Sequence, residues 1–156
     1  MATPRTDLGS SVKSVIAGAS VASTAPAIVT AGGAGDATKV TGQTIDRKGY
    51  YSGVLAVGWY AELADTKTFS LAVEIQESDN ASSWDTAVAL LAATVVATGD
   101  SPTTDFHGVT ELDINFKGRK RYARFNVTPD LSNTSADLAV WTAVCTLGGA
   151  DQLPAS

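Results

Sequence analysis

The chain has 156 residues, 44% of them hydrophobic, and a net charge of −5. That length suits one domain that buries a core without metal or disulfide staples, and the acidic balance argues against a general nucleic-acid binder. The single cysteine, Cys145, excludes a disulfide within the chain, no apolar run reaches the ~18 residues of a membrane span, and the opening MATPRTDLGSS lacks the charged-then-apolar layout of a secretory leader. Much of the apolar share is Ala and Val. Low charge with abundant Ala, Thr, Ser and Gly suits a surface that neighbours partly cover.

Residues 1–38 differ from the rest. Leu8, Val12, Val15, Ile16, Val21, Ile28 and Val29 are their sizeable apolar groups, and no spacing among them sustains a helical stripe. Pro26 and the run Ala31-Gly32-Gly33-Ala34-Gly35 punctuate the segment. It reads as an extended N-terminal arm with one or two short strands, lying on something else, or as an unordered tail. Residues 39–156 read as the domain proper.

From Val40 onward the pattern is β. Residues 50–60 form an apolar run interrupted by Gly53 and Gly58. Residues 68–77 alternate, with Phe69, Leu71, Val73 and Ile75 facing one way and Ser70, Glu74 and Gln76 the other, which predicts a strand with one buried face. Residues 86–97 combine helix-favouring Ala with strand-favouring Thr94, Val95 and Val96, and are read as strand or irregular. Residues 98–104 and the following Asp105-Phe106-His107-Gly108 read as loop. Residues 109–116 place Leu112, Ile114 and Phe116 inward against Glu111, Asp113 and Asn115. Lys117-Gly118 then reads as a hairpin turn into residues 119–128, where Ala123, Phe125 and Val127 oppose Tyr122, Arg124 and Asn126. Residues 128–137 read as a loop. The last strand, residues 138–147, is apolar on both faces at Val140, Trp141, Val144 and Leu147, so it is central in its sheet or covered by a partner. Short strands at this spacing predict an all-β fold: a single β-sandwich or compact β-barrel domain, jelly-roll-like among the possibilities, preceded by the arm.

A search for chemistry finds little. A nucleophile needs a base within reach, and the one histidine, His107, has no elbow motif or partner pattern beside it. Cys145 sits in an apolar alternation and reads as a buried, inert thiol. Glu77, Asp79, Asn80 and Asp85 lie close together without the spacing of a calcium loop, and tight turns use the same residue types. Trp59, Trp84 and Trp141 are read as core more than as a sugar platform. No catalytic, cofactor or metal residue is expected. One charge feature stands out: Lys117, Arg119, Lys120, Arg121 and Arg124 fall within eight residues of an acidic chain. The cluster reads as a solvated, aggregation-resistant hairpin edge or as a dock for an acidic protein surface, and the net charge argues against nucleic acid.

Four segments carry a resemblance. Thr44-Ile45-Asp46-Arg47-Lys48-Gly49-Tyr50-Tyr51-Ser52 resembles a T-I-D-R-x-G-Y-x-S signature of small proteins encoded in tailed-phage head-gene clusters. Gln76-Glu77-Ser78-Asp79-Asn80-Ala81-Ser82-Ser83-Trp84 resembles their Q-E-S-D-(D/N)-x-S-x-W segment. Gly118-Arg119-Lys120-Arg121-Tyr122-Ala123-Arg124 matches their G-x-K-R-Y-x-R strand start, and Leu147-Gly148-Gly149-Ala150, running into Leu153-Pro154, is similar to their ending. The matches fall in order over residues 40–154; the long N-terminal arm is where this chain departs. The resemblance implies a capsid decoration or cement protein, on the outer capsid surface of a virion. Its implied partner is the major capsid protein, bound as a homo-oligomer, trimer favoured, where capsid subunits meet. No nucleic acid, membrane or cofactor is implied. A head-fibre module recognising carbohydrate or a host surface, and a tail or neck component, are the alternative readings. The candidate partner contacts are Arg119, Lys120, Arg121 and Arg124 on the basic segment and Val12, Val15, Ile16, Ile28 and Val29 in the arm.

Overall fold

Alternation of apolar with polar residues builds two antiparallel sheets that press their apolar faces together. The computed structural model describes residues 12–19, 21–22, 25–26, 28–133 and 136–150. Eight strands carry the fold: β1 (Lys13–Ala19), β2 (Val40–Thr41), β3 (Tyr50–Leu63), β4 (Thr68–Ser78), β5 (Val88–Thr98), β6 (Thr104–Asn115), β7 (Tyr122–Leu131) and β8 (Leu138–Ala150). Sheet one runs β1-β8-β3-β6, with Val29–Thr30 also pairing on β8. Sheet two runs β2-β7-β4-β5, with Ile45–Asp46 also pairing on β7. Val21–Ala22 and Ala25–Pro26 form a separate small pair.

The pairing has a simple rule: β1 with β8, β2 with β7, β3 with β6, β4 with β5. That is one long hairpin rolled up on itself, with its tip at the β4–β5 connection, and so a jelly roll. The roll-up sets the sheet faces. Leu55, Val57, Ala61 and Leu63 of β3, Phe69, Leu71, Val73 and Ile75 of β4, Ala123, Phe125 and Val127 of β7, and Ala139, Trp141, Ala143, Cys145 and Leu147 of β8 all point into the core. Each large side chain among them contributes about 1.5–3 kcal/mol on burial.

Two glycines permit close approaches that hold the roll. Gly42 lies where the sheets meet along one side. Its N–H donates to Phe125 O at 2.8 Å, and the next residue's N–H, from Gln43, donates to Ala17 O at 2.9 Å. A Cβ on Gly42 would run into both of those carbonyl oxygens. Gly108 faces the core opposite Trp59, and the indole ring lies 2.6 Å from where a Cβ would stand. Trp59 thus fills the space left by Gly108, while its Nε1 donates to Thr110 Oγ1 at 3.3 Å.

Several expectations change, and two open alternatives are resolved. Residues 104–108 are strand, not loop: Phe106 and Gly108 continue the inward row of Leu112 and Ile114, so His107 lies on the outward face of β6. Lys117-Gly118 is not a hairpin turn, because β6 pairs with β3 in sheet one while β7 pairs with β4 in sheet two. The chain crosses between sheets there over the buried Phe116. Strand β7 runs through Pro129 to Leu131, where a loop was expected. Pro129 shares parity with Phe125 and Leu131, whose backbone groups bond to Gly42 and to the Asp36 side chain. Its missing N–H therefore points away from β4 and costs no ladder bond. Residues 88–98 are strand. Strand β8 is central, between β3 on one side and β1 with Val29–Thr30 on the other.

Candidate interaction surfaces

Three of the four resemblance segments, far apart in sequence, meet at one corner of the molecule. Ile45–Asp46 pairs with Ala123 and Tyr122 at the start of β7, and Tyr122 pairs on its other side with Ser78. Arg47 donates from Nε to Lys120 O at 2.6 Å, and its guanidinium stands 5.9 Å from the centre of the Phe116 ring. Arg121 grips Asp46 with Nε and Nη2, the closest contact at 2.6 Å. Arg119 reaches Glu77 at 3.2 Å. Lys120 bridges Asp85 at 2.9 Å and Asp79 at 3.2 Å. Arg124 donates to Gln76 Oε1 at 3.0 Å and stacks 4.2 Å from the centre of the Trp84 ring.

Arg119, Lys120 and Arg121 each pair with a carboxylate of their own chain at this corner. Hydrogen bonding from Arg121 holds the Asp46 carboxyl below its ordinary value, and Asp46 in turn raises Arg121. Bonds to Asp85 first, then to Asp79, raise the Lys120 ammonium. The basic residues offered as partner contacts, Arg119, Lys120, Arg121 and Arg124, are thus engaged by side chains of their own chain. The carboxylates weighed as a calcium loop are those same partners. Asn80 Oδ1 accepts from Ser82 N at 3.0 Å and Ser83 N at 2.9 Å, which closes the turn.

The two outer sheet faces differ in chemistry. Sheet two presents Ser70, Glu74 and Gln76 beside Arg124, Asn126, Thr128 and Asp130. These are cross-linked: Gln76 Oε1 also accepts from Asn126 at 3.2 Å, and Lys39 pairs with Glu74 at 2.6 Å. Sheet one presents small apolar rows. Ile16, Val144 and Ala56 stand in one cross-strand row that ends at Glu111. Thr142, Gly58 and Val109 form the next, and Val140, Tyr60 and His107 the one after. Ile16 is 66% exposed and Val109 62%. Acidic groups line one side of this face: Asp105, Glu111 and Asp113 on β6, with Glu62 on neighbouring β3. Partial desolvation, and then Asp105, push the Tyr60 hydroxyl up. At one end of the face lies an open depression of about 510 Å³, lined by Val12, Val54, Asp113, Asn115, Thr146 and Gly148 among others.

The arm residues divide. Ile16 and Ile28 are exposed, at 66% and 51%. Val12 borders the depression, Val15 packs partly buried against the core, and Val29 is fully part of it. The apolar face itself was missed as a site; the signal was present in β3 and β8, both apolar on alternate positions of both faces. Cys145 and His107 are not brought together. Cys145 faces the core, where burial pushes its thiol up to about 12, and His107 lies on the opposite face of the sheet. Trp141 is 2% exposed, and Trp59 faces inward, with its ring edge-on to Phe69 at 6.0 Å. Trp84 lies apart from both, under Arg124.

No family model and no curated protein matches this sequence. Solved structures do share its fold. It is similar to part of VP2 of infectious bursal disease virus, with TM-scores of 0.52 to a mutant VP2 in derived T=1 particles and 0.51 to the VP2 subviral particle, each at 11% identity over 90% of this chain. A further T=1 particle of infectious bursal virus gives 0.51, at 12% identity over 90% of this chain. The chain spans about a third of each of those chains (32%, 33% and 31%). At such identity the likeness is one of fold: a two-sheet β domain of the kind found in viral capsid particles.

Proposed function

We propose that this chain is a structural virion protein, a decoration or cement protein that binds the outside of a phage capsid where major capsid subunits meet, as an oligomer, and performs no catalysis. The observation that carries this reading is the contrast between the outer faces. Sheet two is polar and internally paired, whereas sheet one offers a small-residue apolar face with an acidic border. Flat rows of Ala, Val, Gly and Thr allow close approach of another protein surface, and a contiguous apolar patch marks an interaction site. The fold shared with capsid particle proteins and the ordered head-cluster motifs support the same reading.

The mechanism is linkage. A protein that binds the assembled shell better than its free subunits stabilises the shell by mass action. An oligomer multiplies a modest contact by avidity. The row of Glu62, Asp105, Glu111 and Asp113 favours a shell site bearing Lys or Arg, so attachment weakens as salt rises. Trp59 faces inward and Trp141 is buried, so neither is available to a carbohydrate platform.

The test is to mix purified protein with undecorated capsids and image them. Density at regular lattice positions is expected. Ile16→Lys and Val109→Lys place charge at exposed positions on the apolar face and are expected to abolish that density while leaving the protein folded. Full binding by both variants would refute the proposed face, and absence of regular density with the wild type would refute the function.

A further inference from the structure

The two long sides of the sandwich are finished differently. One side is closed, where Gly42 and Gln43 tie β1 to β7 through backbone hydrogen bonds. On the other side the edge strands β5 and β6 are not paired with each other. Leu90 and Leu91 of β5 and Phe106 and Leu112 of β6 pack against the core there but stay partly exposed. Val88 and Val95 stand out from the same edge at 57% and 54% exposure.

β5 lacks the usual chemical protection of an edge strand. Natural edges carry Lys, Pro, inward charges or bulges that discourage pairing with another chain. Residues 86–99 contain no charged residue and no proline. What β5 has is irregularity: its register against β4 slips between Phe69 and Ser70, between Leu71 and Val73, and between Val73 and Glu74. The slips twist the strand and turn apolar side chains to both of its faces. This blunts backbone pairing and leaves a side-chain surface instead.

We infer that this open side, centred on β5, is a self-association surface that packs against β5 of a second copy of the chain across a symmetry axis. Charge selects the occupant. A strand without charge has nothing with which to choose an acidic or basic partner, yet it meets its own copy without the repulsion that a chain of net charge −5 otherwise carries. The neighbouring edge serves less well, because β6 set against β6 would bring Asp105, Glu111 and Asp113 of both copies onto one seam. With β5 at the centre, those carboxylates lie at the rim, and the apolar face of sheet one is left free for the shell. The inference rests on the oligomeric part of the proposed function and names the residues that would make it.

The experiment is light scattering after size exclusion over a range of concentrations, without capsids, on the wild type, Val95→Glu, Val88→Lys and Ile16→Lys. The wild type and Ile16→Lys are expected at a multiple of 16.0 kDa, and the two β5 variants at 16.0 kDa with the wild-type circular dichroism spectrum. Should Val95→Glu not fold, Val88→Lys, at a position 57% exposed against 54% for Val95, carries the same test. A wild type of 16.0 kDa at every concentration overturns the inference, as does a folded Val88→Lys variant of unchanged oligomeric mass. Capsid binding measured on the same set separates the two ideas: loss of shell density in Ile16→Lys with its oligomer intact bears on the docking face alone.

Discussion

At the scale of single residues, the fold turns on a few side chains whose role is steric or ionic. Gly42 admits no Cβ, because backbone carbonyls occupy the space on two sides. Gly42→Ala is expected to cost about 1–3 kcal/mol or more, as overpacking does, read as a lowered midpoint in urea unfolding. Arg47 ties the motif corner together by a bond from Nε to Lys120 O. Arg47→Ala is expected to lose about 1.5–3 kcal/mol, the range for hydrogen bonds to a charged group. The Asp46 carboxyl is held below its ordinary 3.8 by Arg121, so its contribution to stability is present above that value and is lost as pH falls through the lowered folded-state value. The difference in melting temperature between wild type and Asp46→Asn is therefore expected to be full at neutral pH and to close only in acid below 3.8. Lys120 has the opposite sign: its raised ammonium value keeps that contribution in place below 10.5 and loses it above, in strong alkali. Cys145, buried with its thiol pushed up to about 12, is expected to resist thiol reagents at neutral pH until the protein unfolds.

At the scale of elements, legibility followed the regularity of the pattern. β4 and the second half of β6 keep strict alternation, and their inward residues are those that the spacing predicts. β7 does the same at Ala123, Phe125 and Val127, although Asn126 on its outer face is also buried, under Gln76 and Arg124. β5 was ambiguous because its bulges break the period of two. The start of β6 was hidden because Gly108 looks like a loop residue, when its missing side chain is filled by Trp59, a residue distant in sequence. Alternation also says nothing of which sheet a strand joins, so the turn at Lys117-Gly118 could not be told from a hairpin. The basic segment was visible as a charge run, but its acidic partners come from two other segments, and only folding brings them together. The first 38 residues contribute β1 and Val29–Thr30 to sheet one, with Ala17 fully buried and Val29 2% exposed. Removing residues 1–38 is expected to bare the edge of β8 and lower the melting temperature by several degrees, since a loss of ~1 kcal/mol alone shifts a domain of this size by roughly 2–4 °C. Thermal unfolding of the truncated chain by circular dichroism checks it.

At the scale of the whole molecule, a rolled hairpin leaves three surfaces of different character. Sheet two faces outward with a polar, internally bonded face. The open side presents the uncharged β5. Sheet one presents flat apolar rows with carboxylates along one border. A chain that folded only to satisfy itself would polarise the outer face of sheet one as it does that of sheet two, where the outward positions of β4 and β7 carry charges and amides. Instead β3 and β8 carry Val, Ala, Gly and Thr at most of those positions, the exceptions being Ser52, Tyr60, Glu62 and Leu138. The sequence hinted at this when the last strand proved apolar on both faces; its central place accounts for its paired edges, and its apolar outer face is the docking surface proposed above. The most direct measurement is a reconstruction of capsids incubated with this protein. Density at regular lattice positions, with the outer face of sheet one turned to the shell and sheet two turned to solvent, is the expected result. Undecorated lattices, or attachment through the polar face of sheet two, would contradict it.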